Sequence, residues 1–67
     1  MISYEPFYNT LIKNGITEYA LIYKHGLSAN TINRIKHGKP ITTTTLDTLC
    51  FILNCNVSDI LEYKEDE

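Results

Sequence analysis

The sequence predicts an all-α fold, a compact arrangement of five short helices. Apolar residues recur three and four positions apart in successive segments, which is the spacing of one helix face. Serine, threonine or asparagine precedes these segments where it would cap a helix, and glycine or proline follows most of them. The alternation typical of strands is almost absent. A chain of 67 residues buries one small core, so we expect a single domain over residues 1–67.

The first predicted helix has an apolar face of aromatic and aliphatic side chains. These residues are Tyr4, Phe7, Tyr8, Leu11 and Ile12. Ser3 lies where a residue would cap the N-terminus, and Pro6 is tolerated in the first turn. Asn14 and Gly15 form a stop signal, so we expect the helix to end there.

Two short helices separated by Gly26 are predicted next. Thr17 is placed to cap the first of them, which covers residues 18–24. Gly26 interrupts that helix and precedes the second one. The second helix is marked by the Ser28 cap, by Ile32 and Ile35 one turn apart, and by Gly38 directly after His37.

The last two predicted helices follow Pro40. Thr42 caps the fourth helix, and its apolar face contains Leu46, Leu49, Cys50 and Leu53. Asn56 caps a short fifth helix, in which Asp59 reaches back to the cap and residues 60–61 close the core. Very short connections join the five helices.

Charge is distributed unevenly along the chain. The net charge is −2, yet no acidic residue lies between Tyr19 and Leu46. That interval contains Lys24, His25, Arg34, Lys36, His37 and Lys39. A basic middle favours contact with nucleic acid in spite of the negative sum. Most of the acidity lies near the C-terminus, and we expect the acidic tail, residues 62–67, to be a solvated, frayed end.

Several other classes of function find no support in the sequence. No apolar run reaches the roughly 18 residues of a membrane span and no targeting pattern is present, so we expect a cytoplasmic protein. Nucleotide-binding, zinc-protease and nucleophile motifs are missing, and we expect no enzyme activity, no cofactor and no small-molecule substrate. His25 and His37 lack partners at metal-ligand spacing. Cys50 and Cys55 are interpreted as reduced thiols, with a redox switch between them as the alternative.

The segment TEYALIYKHGLSANTINRIKHG, from Thr17 to Gly38, combines two amphipathic helices with a glycine turn. Gly26 supplies the positive φ of a sharp turn. The apolar residues Leu21, Leu27, Ile32 and Ile35 fix the angle between the helices. This segment resembles the helix-turn-helix of the Cro and phage-repressor class (lambda-repressor-like, XRE). The resemblance extends over nearly the whole chain, and the helix-turn-helix itself covers about residues 17–37.

Two positions depart from the pattern of that class. The class favours glutamine where this chain has Glu18, a carboxylate that faces DNA phosphate at a cost unless it points away. It favours a small residue where this chain has Ile22, because the two helices approach closely there.

The resemblance implies a small transcriptional regulator, a repressor that binds double-stranded DNA at an operator as a homodimer. The helix over residues 28–37 would lie in the major groove. The residues implied to read bases are Ala29, Asn30, Asn33 and Arg34, whose chemistry suits base edges. Those implied to contact phosphates are Thr17, Lys24, Ser28, Thr31, Lys36, His37 and Lys39.

Two alternatives stay open at this point. The base-reading candidates are also consistent with an ordinary solvated helix face. The whole chain is also consistent with a protein-interaction module of the same fold, either antitoxin-like or a subunit of a regulator. For the dimer surface we expect the fifth helix and its flank, with Val57, Ile60, Leu61 and Tyr63.

Overall fold

The computed structural model of the chain describes residues 1–65. Its elements are β1 (Ile2–Ser3), α1 (Glu5–Asn14), α2 (Glu18–Tyr23), α3 (Ala29–Lys36), α4 (Thr43–Leu53), a 3₁₀ turn (Val57–Asp59) and β2 (Glu62–Tyr63). The helical character is confirmed, but the count of five helices is wrong, since the described residues form four α-helices. The predicted fifth helix is the 3₁₀ turn. It stops after three residues because the chain must be extended again at residue 62 to enter β2.

One face of each helix contributes to the core. The buried side chains are Tyr4, Phe7, Leu11, Leu21, Ile32, Ile35, Leu49, Leu53 and Ile60. The apolar faces predicted for α1 and α4 are largely confirmed, but Ile12 is 80 % exposed. Successive residues are about 100° apart around a helix, so the Ile12 side chain points about 100° away from that of the buried Leu11 and reaches solvent. The expected dimer surface is wrong at Ile60, which is 0 % exposed and belongs to the core.

The predicted N-caps are confirmed at three helices. Thr17, Ser28 and Thr42 each accept a hydrogen bond from the backbone N–H three residues later, at 3.1, 3.0 and 3.1 Å. At α1 the prediction is wrong by one residue: Tyr4 occupies the N-cap and gives no side-chain cap bond. Ser3 belongs to β1 instead, although its Oγ still accepts from the Glu5 N–H at 3.2 Å.

Strands β1 and β2 form an antiparallel ribbon that the sequence did not predict. Ile2 lies opposite Tyr63, and Ser3 lies opposite Glu62. The Lys64 N–H donates to the Met1 C=O at 2.7 Å, and the Met1 ammonium donates to the Lys64 C=O. The frayed end expected for the tail is therefore wrong at residues 62–64, whereas residues 66–67 lie outside the described part. Strands of two residues are too short to show alternation in a sequence.

The described residues also limit other kinds of site. None of their helices has both the length and the apolar character needed to cross a lipid bilayer. No group of three or more His, Cys, Asp or Glu side chains gathers among them where a metal ion could bind. Cys50 and Cys55 are half-buried free thiols. Burial, and then the neighbouring Cys50, raises the pKa of the Cys55 thiol, which keeps it protonated and less reactive.

Candidate nucleic-acid interface

Gly26 redirects the chain from α2 to α3. Its φ is 76°, in the left-handed region where a side chain costs energy and glycine does not. The turn is closed by backbone hydrogen bonds: the Leu27 N–H donates to the Leu21 C=O at 3.1 Å, and the His25 N–H donates to the Ala20 C=O at 3.3 Å. The predicted role of Gly26 is confirmed, and this turn determines where α3 begins.

Buried isoleucines fix the rotation of α3 about its own axis. Ile32 and Ile35 point into the core with Leu21, and Leu27 packs against the same cluster from the turn. The opposite side of α3 therefore faces solvent. Since Ile32 and Ile35 are held within a close-packed core, the outer face cannot rotate inward without exposing them.

The outer face of α3 presents the four predicted base-reading residues, Ala29, Asn30, Asn33 and Arg34, and all four are exposed. The structure brings three of them together around one open depression, which is lined by Asn30, Asn33, Arg34, His37, Lys39 and Pro40. Ala29 lies in the first turn of α3, outside that lining. The depression is lined by the side-chain amides of two asparagines, the Arg34 guanidinium and the Lys39 ammonium, and no carboxylate is among its lining groups.

The predicted phosphate-contacting residues are spread over a wider area. Thr17 and Lys24 lie at the two ends of α2 and are exposed. Ser28 and Thr31 share a hydrogen bond between their hydroxyls at 2.8 Å, and Thr31 is half-buried. Lys36 is exposed in the last turn of α3. Of the predicted phosphate contacts, only His37 and Lys39 line the depression itself.

The C-terminal end of α3 is closed by a network of backbone bonds. The Lys39 N–H donates to the Arg34 C=O at 2.7 Å, and the Gly38 N–H donates to the Ile35 C=O at 3.2 Å. Gly38 has φ 68°, which such a C-terminal cap requires. The His37 Nδ1 lies 2.9 Å from the Asn33 C=O. These bonds hold the two basic residues that follow α3 against its last turn.

Tyr4 is a residue of this region that the sequence did not reveal. Its hydroxyl donates to the Lys39 C=O at 2.8 Å, and the side chain is only 8 % exposed. Tyr4 therefore fixes the backbone of Lys39, although the two residues are 35 positions apart in the sequence. The helical spacing of α1 showed only that Tyr4 is buried, because a bond across 35 positions leaves no local signal.

The two departures from the family pattern have structural consequences. Glu18 is half-buried at the start of α2. Burial first, and then the Glu18 carboxylate, raises the pKa of the Tyr8 phenol. The Tyr8 hydroxyl is itself buried without a hydrogen-bond partner within residues 1–65. Ile22 is half-buried and packs against the core, so α2 accommodates the larger side chain.

The basic side chains of the region form no ion pair within the part of the chain that the structure describes. Over residues 1–65, no acidic group lies within salt-bridge distance of Lys24, Arg34, Lys36 or Lys39, while Lys64 pairs with Glu5. Their charges are therefore available to a negatively charged ligand. An acidic chain thus presents a locally basic surface.

Known proteins share both the sequence pattern and this geometry. A family model described as the Cro/C1-type HTH DNA-binding domain matches residues 9–66. The chain belongs to this family. It is a family of DNA-binding transcriptional regulators.

Two relatives support the assignment. The uncharacterized HTH-type transcriptional regulator YozG of Bacillus subtilis (strain 168) is 37 % identical over 57 residues, which is 82 % of this chain and 66 % of that protein, just under two thirds of its length. A crystal structure of the transcriptional regulator VanUg superposes with a TM-score of 0.86 at 26 % identity, covering 97 % of this chain and 87 % of the other. The resemblance to the Cro and phage-repressor class is confirmed.

Proposed function

We propose that this chain is a transcriptional repressor that binds a two-fold symmetric operator in double-stranded DNA as a homodimer. The observation that carries the proposal is the outer face of α3, where Asn30, Asn33 and Arg34 stand in solvent beside His37 and Lys39. Membership of the Cro/C1-type family supports α3 as the helix that enters the major groove. A cytoplasmic, single-domain protein over residues 1–67 fits this function.

The outer face of α3 has the chemistry needed to distinguish base pairs. Asn30 and Asn33 pair through their amides with N6 and N7 of adenine, and Arg34 pairs with O6 and N7 of guanine. Ala29, at the start of the helix, contacts a thymine methyl group. Because buried isoleucines hold α3 in one rotation, these side chains reach the groove without an ordering step at the helix backbone.

Phosphate contacts on both sides of the groove would set the position of α3. The proposed contacts are Thr17, Lys24, Ser28, Thr31, Lys36, His37 and Lys39. At the start of α3, the N–H groups of Ala29 and Asn30 lie in the first turn, where no intrahelical acceptor exists, and they add two donors for a phosphate. These contacts carry no sequence information, so they act on affinity rather than on specificity.

Repression would follow from occupation of the operator by the protein. A dimer bound to two half-sites about one helical turn apart covers a stretch of DNA that a polymerase needs. Each protomer brings few cations, so pairing of two protomers on one operator is the means to useful affinity.

The experiment that tests this function is selection from a pool of randomised duplexes, followed by fluorescence anisotropy of the enriched sequence at several salt concentrations. We expect a two-fold related sequence whose affinity falls as salt rises. The R34A variant should lose discrimination at one base pair of each half-site, worth roughly 1–3 kcal/mol. The K36A variant should weaken binding to all sequences equally and reduce the salt slope by about one per protomer.

Lys13 provides the matched control, because it is an exposed lysine in the last turn of α1, away from the depression. K13A should bind as the unmodified chain does. Equal affinity and equal base preference for R34A and K13A would remove the outer face of α3 from the interface. Enrichment of a site without two-fold symmetry would remove the homodimeric operator while leaving DNA binding intact.

A second candidate function, a protein-interaction module, has one observation in its favour. Tyr19 and Tyr23 lie on the exposed side of α2, with their ring centroids 4.4 Å apart, and neither lines the depression beside α3. Exposed aromatic side chains are common anchors of protein interfaces. If no duplex is enriched, the Y19A/Y23A double variant should release a bound protein in a pull-down, whereas R34A should not.

A further inference from the structure

Helix α4 ends in a cap that brings its two cysteines together. The Cys55 N–H donates to the Cys50 C=O at 3.1 Å, and the Asn54 N–H donates to the Phe51 C=O at 3.4 Å. Asn54 has φ 50°, the left-handed conformation of such a cap. These two bonds define a Schellman cap, in which the side chains of the residues joined by the longer-range bond commonly contact each other. The cap therefore places the Cys50 and Cys55 side chains side by side.

Helix α1 ends in the same way, and its cap shows what these two positions do when neither residue is reactive. The Ile16 N–H donates to the Leu11 C=O at 3.0 Å, and the Gly15 N–H donates to the Ile12 C=O at 3.2 Å. Leu11 belongs to the core, and Ile16 packs against it. Aliphatic side chains thus suffice to close such a cap in this fold. The two thiols at the same positions of α4 add a chemistry that packing does not require.

Both thiols line one shallow depression, which we call the thiol cleft. It lies between α4 and the 3₁₀ turn, and Leu46, Asp47 and Val57 are among the other residues that line it. Cys50 and Cys55 are half-buried, so a small reagent reaches them from solvent. Neither cysteine lines the depression beside α3. The thiol cleft is therefore separate from the candidate nucleic-acid interface.

A bond between the two sulfur atoms is the chemistry that this pair suits. A disulfide needs Cα atoms about 4.4–6.8 Å apart, and a direct backbone hydrogen bond holds two residues at that separation. Within residues 1–65, no third His, Cys, Asp or Glu side chain joins the two thiols to form a group that could hold a metal ion. The geometry of the cap thus favours a disulfide over a metal site.

We propose that Cys50 and Cys55 form a redox-active dithiol, which a neutral or cationic low-molecular-weight disulfide converts to an intramolecular disulfide. The Cys50 sulfur attacks one sulfur of the reagent, and the first small thiol leaves with the proton of Cys50. The Cys55 sulfur then attacks the Cys50 sulfur, and the second small thiol leaves with the proton of Cys55. The reagent is reduced to two thiols, and the protein loses two hydrogen atoms. The inference goes beyond the proposed function and does not rest on it.

Cys50 makes the first attack because Cys55 keeps its proton. Burial, and then the neighbouring Cys50 and the Asp59 carboxylate, raise the pKa of the Cys55 thiol, while only a thiolate is nucleophilic. The second step is intramolecular, and the cap already holds the two residues together. Cys55 therefore needs little reactivity to complete it. A mixed disulfide on Cys50 should be short-lived.

The charges beside the thiol cleft determine the class of the reagent. The Asp47 carboxylate lines the cleft, and the Asp59 carboxylate acts on Cys55. No lysine, arginine or histidine is among the lining residues in the described part of the chain. A negatively charged disulfide such as oxidised glutathione is repelled there, whereas a neutral or cationic one is not.

Equilibration with hydroxyethyl disulfide, a neutral reagent, tests whether the fold favours the bond. Mass spectrometry after acid quenching measures the fraction of chain that has lost two hydrogen atoms, in buffer and in concentrated urea. The bond closes a short loop over residues 50–55, so the equilibrium constant for oxidation should be about 10-fold higher in the folded chain. The oxidised chain should also unfold at a higher temperature than the reduced one. Equal constants, or a lower constant in buffer, would overturn the inference.

Single-cysteine variants test the order of the two steps. C55S should accumulate a mixed disulfide on Cys50, whereas the unmodified chain should accumulate none. C50S should react about threefold more slowly than C55S, because the thiol that it retains is held protonated. Circular dichroism checks that both variants fold. Two results contradict the proposal: a mixed disulfide that persists on the unmodified chain, or disulfide-linked dimers in place of the internal bond.

The D47N variant tests the preference for reagents without negative charge. The measured quantity is the rate of oxidation by cystamine, a cation, divided by the rate with oxidised glutathione. D47N should lower this ratio about threefold, and added salt should lower it in the unmodified chain. E65Q is the matched control, because Glu65 is an exposed carboxylate that does not line the thiol cleft. A ratio that D47N changes no more than E65Q would overturn the assignment of the reagent class.

Discussion

The helix-turn-helix and the β-ribbon are built in opposite ways. In the first, the residues that determine the geometry are neighbours in the sequence: Thr17 caps α2, Gly26 makes the turn and Ser28 caps α3. In the second, two strands of two residues meet across about sixty positions, and few contacts hold them. The helix-turn-helix is therefore specified locally and rigidly, whereas the ribbon depends on how the finished fold brings the ends of the described chain together.

The largest effect in this comparison is expected from the core beneath α3. Ile35 is 2 % exposed, and Ile12 is the same residue type at 80 % exposure. I35A should lower the free energy of unfolding by about 2–5 kcal/mol, since it removes buried methyl groups and leaves a cavity. I12A should change it by less than about 0.5 kcal/mol. Urea denaturation followed by circular dichroism measures both.

A small domain has little stability to lose, so I35V gives a milder version of the same test. It should cost about 0.5–1.5 kcal/mol and remain folded at low denaturant. If I35V and I12A gave equal midpoints, Ile35 would not be part of the packing that orients α3.

The next effect concerns the turn itself. G26A forces a side chain into a backbone with φ 76°, and nothing lies within 4 Å of the added Cβ, so the cost is conformational and not steric crowding. We expect a loss of about 1 kcal/mol. G26N should lose less, because asparagine adopts left-handed conformations more readily, as Asn54 does at the end of α4 with φ 50°. Equal stability of both variants would contradict this account.

Much of the site was predictable because its signals are local. Caps, a turn glycine and isoleucines one turn apart determine which face of α3 is buried, and the exposed positions of Asn30, Asn33 and Arg34 follow from the helix period. The fold was predictable for the same reason, apart from its termini. The exposure of Ile12 could not be predicted, because an apolar residue at the margin of an apolar helix face looks the same in the sequence whether it is buried or exposed.

Tyr4 connects the two regions, and its hydroxyl gives the third effect. Y4F removes the donor that holds the Lys39 C=O and should cost about 1 kcal/mol. Hydrogen exchange at the Lys39 amide should also become faster, because the end of α3 is less constrained. Y8F is the matched control on the same helix: its hydroxyl is buried without a partner within residues 1–65, so its loss should be neutral or stabilising.

A destabilisation by Y8F as large as that by Y4F would mean that the bond between Tyr4 and Lys39 adds nothing specific. The sequence could not supply this contact, nor the ribbon, for one physical reason. Both join residues far apart in the chain through a few hydrogen bonds, and a hydrogen bond needs no residue pattern around it. Only periodic burial and turn chemistry leave traces that a single sequence reveals.

The smallest effect lies in the ribbon, where Lys64 and Glu5 form an exposed ion pair at 2.5 Å. The hydrogen bond to the Glu5 carboxylate raises the pKa of Lys64 above its usual 10.5. A lysine whose pKa is raised by folding contributes stability below the pKa of the unfolded chain and loses it as pH rises through the pKa of the folded state. The contribution should be small, because solvent and salt screen an exposed pair.

E5Q reveals that contribution as a difference between two melting curves. Thermal unfolding should show the unmodified chain slightly more stable than E5Q at neutral pH and at pH 9, and the two should converge as pH rises through the raised pKa of Lys64 in the folded chain. Ionisation of tyrosines affects both proteins alike and cancels in the difference. A gap that persisted at high pH would assign the stabilisation to packing of the Glu5 side chain. A gap that closed would show that the ribbon is held in part by charge, whereas α3 is held by the burial of Ile32 and Ile35 and by the Ser28 cap.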